Sequence, residues 1–144
     1  MESVLAHEIG HYKKGHVPKT IALSLGGGLL AFYVIALLAG QAWFMGAYGF
    51  SPREMAPALL LFALLSGVVT FWLSPLFHGL SRRYEYEADA FAAGLTRQRQ
   101  PLIGALRKLN EKNLSNLTPH PLYSGFYYSH PTLLEREAAL ARTD

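Results

Sequence analysis

From Thr20 to Pro52 no side chain carries a formal charge, and from Met55 to Ser81 only His78 can acquire one. A water-exposed domain interleaves charge every few residues to keep its outer faces wet. Two stretches here do the opposite. Residues 20–45 and 55–77 each exceed the ~20 apolar residues that cross a ~30 Å hydrocarbon core, and both are longer than a typical buried core helix. Gly46, Gly49, Ser51 and Pro52 supply a turn between them, and Pro57 falls in the first turn of the second stretch, where a proline is tolerated. The pattern predicts an all-α integral membrane protein built on a two-helix transmembrane hairpin.

The flanking segments read as helices outside the membrane. Residues 1–15 form one, running over 2–14 and stopping at Gly15, with Lys13 and Lys14 at the negative end of its dipole. Pro18 is expected to discourage its continuation. Residues 81–96 form another, charged on one side and with Phe91 and Leu95 four apart. Within the C-terminal helices of 101–144, a helix over 101–112 places Leu102, Leu106 and Leu109 on one face. Residues 113–130 read as a loop, and a last helix begins near Pro131.

The chain has no cysteine, so a transition metal here must be held by nitrogen and oxygen. Of its 13 Lys and Arg residues, only Arg53 belongs to the turn between the apolar stretches. The positive-inside rule then places the flanking helices in the cytoplasm and residues 46–54 outside. This placement accounts for the net charge of +3 without nucleic acid as a partner.

His7-Glu8-Ile9-Gly10-His11 is an HExxH pentapeptide. Residues four apart on a helix lie about 40° apart around it and ~6 Å along it, so both imidazoles can meet one zinc ion. Glu8 can then take a proton from water acidified by the metal. A surface helix with two solvated histidines is the alternative for the pentapeptide alone. Zinc, however, needs a third protein ligand, and Glu85 and Asp89 share a helix face further along. Glu85 is the expected ligand, with Asp89 accepting the outer N–H of a ligating histidine. Glu87 points elsewhere around that helix. Two crossings separate His11 from Glu85, so the chain returns to the side it left. His16 reads as a surface histidine beyond the end of its helix, and no partner is evident for His78 or His120.

Three strings carry a resemblance: residues Val4–Lys13 around HExxH, Ser81–Ala92 around Glu85, and Tyr128-Ser129-His130-Pro131-Thr132-Leu133-Leu134-Glu135-Arg136. In that order, with the apolar hairpin between the first two, they closely resemble the CAAX prenyl protease 1 family of multi-pass zinc endopeptidases. The resemblance implies one Zn²⁺ per chain at His7, His11 and Glu85, Glu8 as base, and Asp89 behind the ligands. It also implies that His130 and Arg136 face the cleft, where they can stabilise an oxyanion or hold a substrate carbonyl or carboxylate. On the residues alone, His130 can equally cap the last helix, and Arg136 can pair with Glu135 or Glu137. The implied partners are a lipid bilayer and a peptide or protein substrate, prenylated where C-terminal CAAX processing is the role. Membrane-protein quality control and a non-catalytic scaffold descended from a protease are the alternatives. The family's further membrane helices and its substrate-pairing strand precede HExxH, which here follows almost directly on Met1. The chain thus reads as a truncated peptidase domain over 1–144, expected to bind zinc but to hydrolyse nothing by itself.

Overall fold

The structure is a computed structural model that describes residues 2–142, and every regular element among them is a helix. In chain order these are α1 (Glu2–Lys14), α2 (His16–Ala39), α3 (Ala42–Ala47), α4 (Met55–Thr96), α5 (Gln100–Asn113), α6 (Pro121–Tyr127) and α7 (Leu133–Arg142). The chain divides into two compact units: Pro18–Leu73, and the segments on either side of it.

The first unit is the apolar hairpin. Its first long helix ends at Ala39, short of the expected 45, because Gly40 and Gln41 interrupt it before α3 begins. Glycine is a poor helix former, and further along the turn Gly49 takes the left-handed conformation at φ 79°. Phe44 and Met45, expected at the end of a span, instead pack with Ala39 and Leu61 in a small core. The Arg53 backbone N–H donates to the Ala39 carbonyl at 2.7 Å and closes the turn. Phe32 stacks on Phe62 with ring centroids 4.7 Å apart. Beyond these contacts the long helices are bare: Leu29, Leu64, Val68 and Trp72 are all exposed. Almost none of the most apolar stretch of either helix is buried within the protein. These are not the core helices of a water-soluble domain, whose apolar faces are covered.

The sequence reading also placed a break between residues 77 and 81. The structure has none: α4 runs unbroken through Pro75 for 42 residues. A proline removes one intrahelical hydrogen bond, and cooperative propagation on either side carries the helix past it. Pro18 likewise does not delay α2, since it sits in the first turn, where its missing N–H has no helical partner to lose.

In the second unit, α1 lies against the distal part of α4 through small residues. A Cβ placed on Gly10 would stand 3.1 Å from both the Cα and the carbonyl oxygen of Ala88, so the α4 backbone would have to give by a few tenths of an ångström. Ala6, Ala92, Ala93, Leu102 and Leu140 form the core beneath, with Ile103 and Leu106 packed on its edge. Helix α5 thereby bridges α1 and α7. The expected loop over 113–130 contains α6, capped by His120, whose Nδ1 accepts from the Leu122 N–H at 3.3 Å. Helix α4 ties this segment down: His78 Nδ1 donates to the Phe126 carbonyl at 2.7 Å, and Arg82 donates to the Ser124 and Tyr128 carbonyls. Both histidines without an evident partner thus hold the segment that leads to His130.

Candidate metal centre

The one-turn spacing of His7 and His11 on α1 brings their Nε2 atoms to 3.1 Å from each other. Across the Gly10–Ala88 contact, α4 presents Glu85, whose two carboxylate oxygens each lie 3.6 Å from one of those nitrogens. One ligand atom from each of the three residues falls within 4.8 Å of the others, a separation that a single ion can span. Glu85 is buried, His7 nearly so and His11 partly. Burial, together with the adjacent His7 imidazole, pushes the His11 pKa below its ordinary value, although Glu85 pulls the other way. Two imidazoles and a carboxylate match zinc's preference for nitrogen and oxygen donors, so the residues present fit the metal.

Behind this cluster lies a buried acid–base pair. Asp89 accepts from His7 Nδ1 at 2.9 Å, which directs the lone pair of His7 Nε2 toward Glu85. The same carboxylate takes two bonds from Arg136, Nε at 2.7 Å and Nη2 at 2.6 Å, while Arg136 Nη1 reaches Glu85 at 3.2 Å. Burial alone would raise the Asp89 pKa, but the hydrogen bonds from Arg136 and His7 outweigh it and hold the carboxyl below its usual range. Arg136 comes free for this task because its neighbours are committed elsewhere. Glu135 closes a capping box with Thr132, accepting from the Thr132 N–H at 2.7 Å while its own N–H donates to Thr132 Oγ1 at 3.3 Å. Glu137 forms a two-bond pair with Arg107, at 2.7 and 3.0 Å. The surface pairing considered for Arg136 is therefore not made, and Thr132, not His130, caps the last helix.

His130 stays exposed, its Nδ1 3.1 Å from Glu85. A cavity of about 540 Å³ opens here, lined by His7, Glu8, Glu85, His130 and Arg136, with Leu102, Leu106 and Leu109 from α5. Every site residue singled out in the sequence thus borders this cavity or, like His11 and Asp89, stands against a residue that does. Glu8 is exposed and lines it.

His16 is the residue that sequence reasoning misplaced. Far from being a surface histidine, it is 2% exposed and stacked on Tyr84 with ring centroids 4.1 Å apart. Its Nδ1 lies 3.0 Å from His11 Nδ1 and its Nε2 3.2 Å from Glu87 Oε2. In a continuous helix a residue five positions on would be displaced by about 140°. Gly15, at φ 66°, breaks the helix in the left-handed region and swings His16 back beside His11. Glu87, read from the sequence as pointing away from Glu85, takes Arg83 at 2.8 Å as well as His16, and the Arg83 bond foremost holds its carboxyl below the usual range.

The model of peptidase family M48 matches residues 1–144. The CAAX prenyl protease 1 homolog of Mus musculus is 40% identical over 140 residues, covering 96% of this chain and 29% of that protein. For the CAAX prenyl protease 1 of Saccharomyces cerevisiae the identity is 35% over 153 residues, covering 96% and 34% respectively. A Bacillus subtilis protein named as an uncharacterized metalloprotease, YhfN, is 32% identical over 135 residues, covering 92% and 32%. Among solved structures, S. mikatae Ste24p superposes with a TM-score of 0.79 at 36% identity, over 96% of this chain and 34% of that one. The chain therefore spans about a third of the length of these relatives. A family match along the whole sequence, with a superposition on Ste24p over 96% of this chain, establishes that this chain belongs to peptidase family M48.

Proposed function

We propose that this chain carries the catalytic centre of a zinc-dependent endopeptidase that cleaves membrane-associated peptides on the cytoplasmic side. The observation that carries the reading is the convergence of His7 Nε2, His11 Nε2 and the Glu85 carboxylate beside the exposed Glu8. These three residues would hold the metal. Bound there, zinc supplies a Lewis acid that polarises a peptide carbonyl and acidifies water. Glu8 accepts the proton of the attacking water and delivers it to the leaving amine nitrogen. His130, exposed at the cavity rim, donates to the substrate oxygen that gains negative charge. Arg136 spends its donors on Asp89 and Glu85, so it fixes the acids in place more than it meets substrate. Leu102, Leu106 and Leu109 offer an apolar wall against which a substrate side chain can rest.

The hairpin supports a membrane setting. Its exposed leucines, valines and tryptophans suit lipid or neighbouring transmembrane helices and are unsuited to water. The distribution of Lys and Arg, with only Arg53 in the turn of the hairpin, supports a cytoplasmic metal centre. The likeness to eukaryotic CAAX prenyl proteases favours C-terminal CAAX processing as the reaction.

One experiment tests both the chemistry and the orientation, using the full-length protein in sealed vesicles. Inside-out vesicles should cleave an added fluorogenic CAAX-type peptide, right-side-out vesicles should not, and a zinc chelator should abolish cleavage until zinc is returned. A prenylated peptide cleaved no faster than its unprenylated counterpart would remove the substrate assignment. Cleavage that persists in chelator would remove the metal chemistry, and cleavage confined to right-side-out vesicles would reverse the orientation.

A further inference from the structure

The two histidines of the metal cluster are braced differently. His7 Nδ1 donates directly to a buried carboxylate, that of Asp89. Among the described residues no carboxylate meets His11 Nδ1; the contact there is a second imidazole, that of His16, at 3.0 Å. His16 in turn reaches Glu87 at 3.2 Å, and Glu87 is gripped by Arg83 at 2.8 Å. Each ring in this chain has two nitrogens, and the pattern admits one self-consistent arrangement of protons. If His11 Nε2 faces a cation, its proton must sit on Nδ1 and donate to His16 Nδ1. His16 then carries its own proton on Nε2 and donates it to the Glu87 carboxylate. Every donor meets an acceptor, with no charged imidazole required.

We propose that His16 is a positioning residue for His11, the middle link of a His11–His16–Glu87 chain that fixes the second metal histidine as Asp89 fixes the first. The proposal rests on the metal reading given above. Its physical basis is that a ligating imidazole free to rotate or change tautomer loses metal affinity, and that an outer hydrogen bond prevents both. The site is built for this. His16 is 2% exposed and its ring lies parallel to Tyr84, with 9° between the planes, so it cannot turn away from His11. Its placement depends on the left-handed turn at Gly15, which aims it back across α1 toward α4. Burying an imidazole so completely is costly unless both of its nitrogens are satisfied, and here both are. The single carboxylate at His7 and the relayed one at His11 together leave neither ligand free to swivel.

The test is zinc affinity of the full-length protein in detergent, measured by competition with a chromophoric chelator. Three variants separate hydrogen bonding from packing. His16→Phe keeps a ring to stack on Tyr84 but offers no acceptor to His11, and should weaken zinc binding ~10–100-fold. His16→Gln, whose amide oxygen can accept from His11 and whose NH₂ can donate to Glu87, should recover most of that loss. Glu87→Met, at the rim of the network where folding is least at risk, should weaken binding in the same direction but by less. In the Co²⁺-substituted protein, the visible ligand-field bands should shift in His16→Phe and return toward wild type in His16→Gln. Wild-type affinity in His16→Phe or in Glu87→Met would overturn the proposal, as would equal losses in Phe and Gln, which would mark a packing role only. If the wild-type protein bound no zinc, the metal reading itself would fall. Wild-type binding with indifferent variants would sink this inference alone.

Discussion

Glu8→Gln should leave the metal content of the full-length protein unchanged and lower its peptidase turnover at least ~10²–10⁴-fold, the usual worth of a positioned general base. The carboxamide is nearly the same size and stays exposed at the cavity, so neither α1 nor the ligand cluster is disturbed. What it lacks is the ability to accept the proton of attacking water. The loss should fall on kcat, with KM for the peptide little altered, because Glu8 acts on the reacting atoms and not on substrate binding. Turnover within a few-fold of wild type, with metal bound, would mean that another group is the base. Simultaneous loss of metal would mean that Glu8 is a ligand, not a base.

Asp89→Ala should produce the largest stability defect of any single change near the site. Its carboxylate accepts three hydrogen bonds of 2.9 Å or less, from Arg136 Nε, Arg136 Nη2 and His7 Nδ1. Both charged partners are nearly inaccessible, with side chains 3% and 11% exposed. Removing one member of such a pair strands the other, and breaking a buried pair typically costs about 3–5 kcal/mol. Glu85 keeps a single contact to Arg136 and softens this, but only by taking the guanidinium against a metal-facing carboxylate. Chemical denaturation in detergent should therefore place Asp89→Ala several kcal/mol below wild type, with Asp89→Asn between them. Asp89→Ala within ~1 kcal/mol of wild type would show the pair to be incidental to the fold.

Those residues differ in how far the sequence alone exposes them. HExxH is legible because its geometry is local: a four-residue spacing on one helix needs no knowledge of the rest of the chain. The hairpin is legible because lipid-suited helices exclude charge over long runs. Elsewhere, partner choice across the fold decides the outcome. Arg136 has acids on both sides in sequence, and only the capping box at Glu135 and the Arg107 pair at Glu137 release it for Asp89. His16 looks stranded past the end of α1 until Gly15 takes a positive φ and α2 begins at once. Residues 55–77 and 81–96 look like separate helices and are one, α4, whereas the span ending near Met45 looks continuous and breaks at Gly40. Through Pro75 a local cost of about 3 kcal/mol is overridden by helix cooperativity, whereas at Gly15 and Gly40 the local preference of glycine prevails.

The central claim is that two helices place His7, His11 and Glu85 around one ion. Its most direct test is the zinc content per chain of the purified full-length protein and of His7→Ala, His11→Ala and Glu85→Ala, determined by elemental mass spectrometry after dialysis. The account predicts one zinc per wild-type chain and strongly reduced zinc in each of the three variants, with α-helical content retained. Stoichiometric zinc in any one of these variants, or a wild-type protein that emerges without zinc, would contradict it.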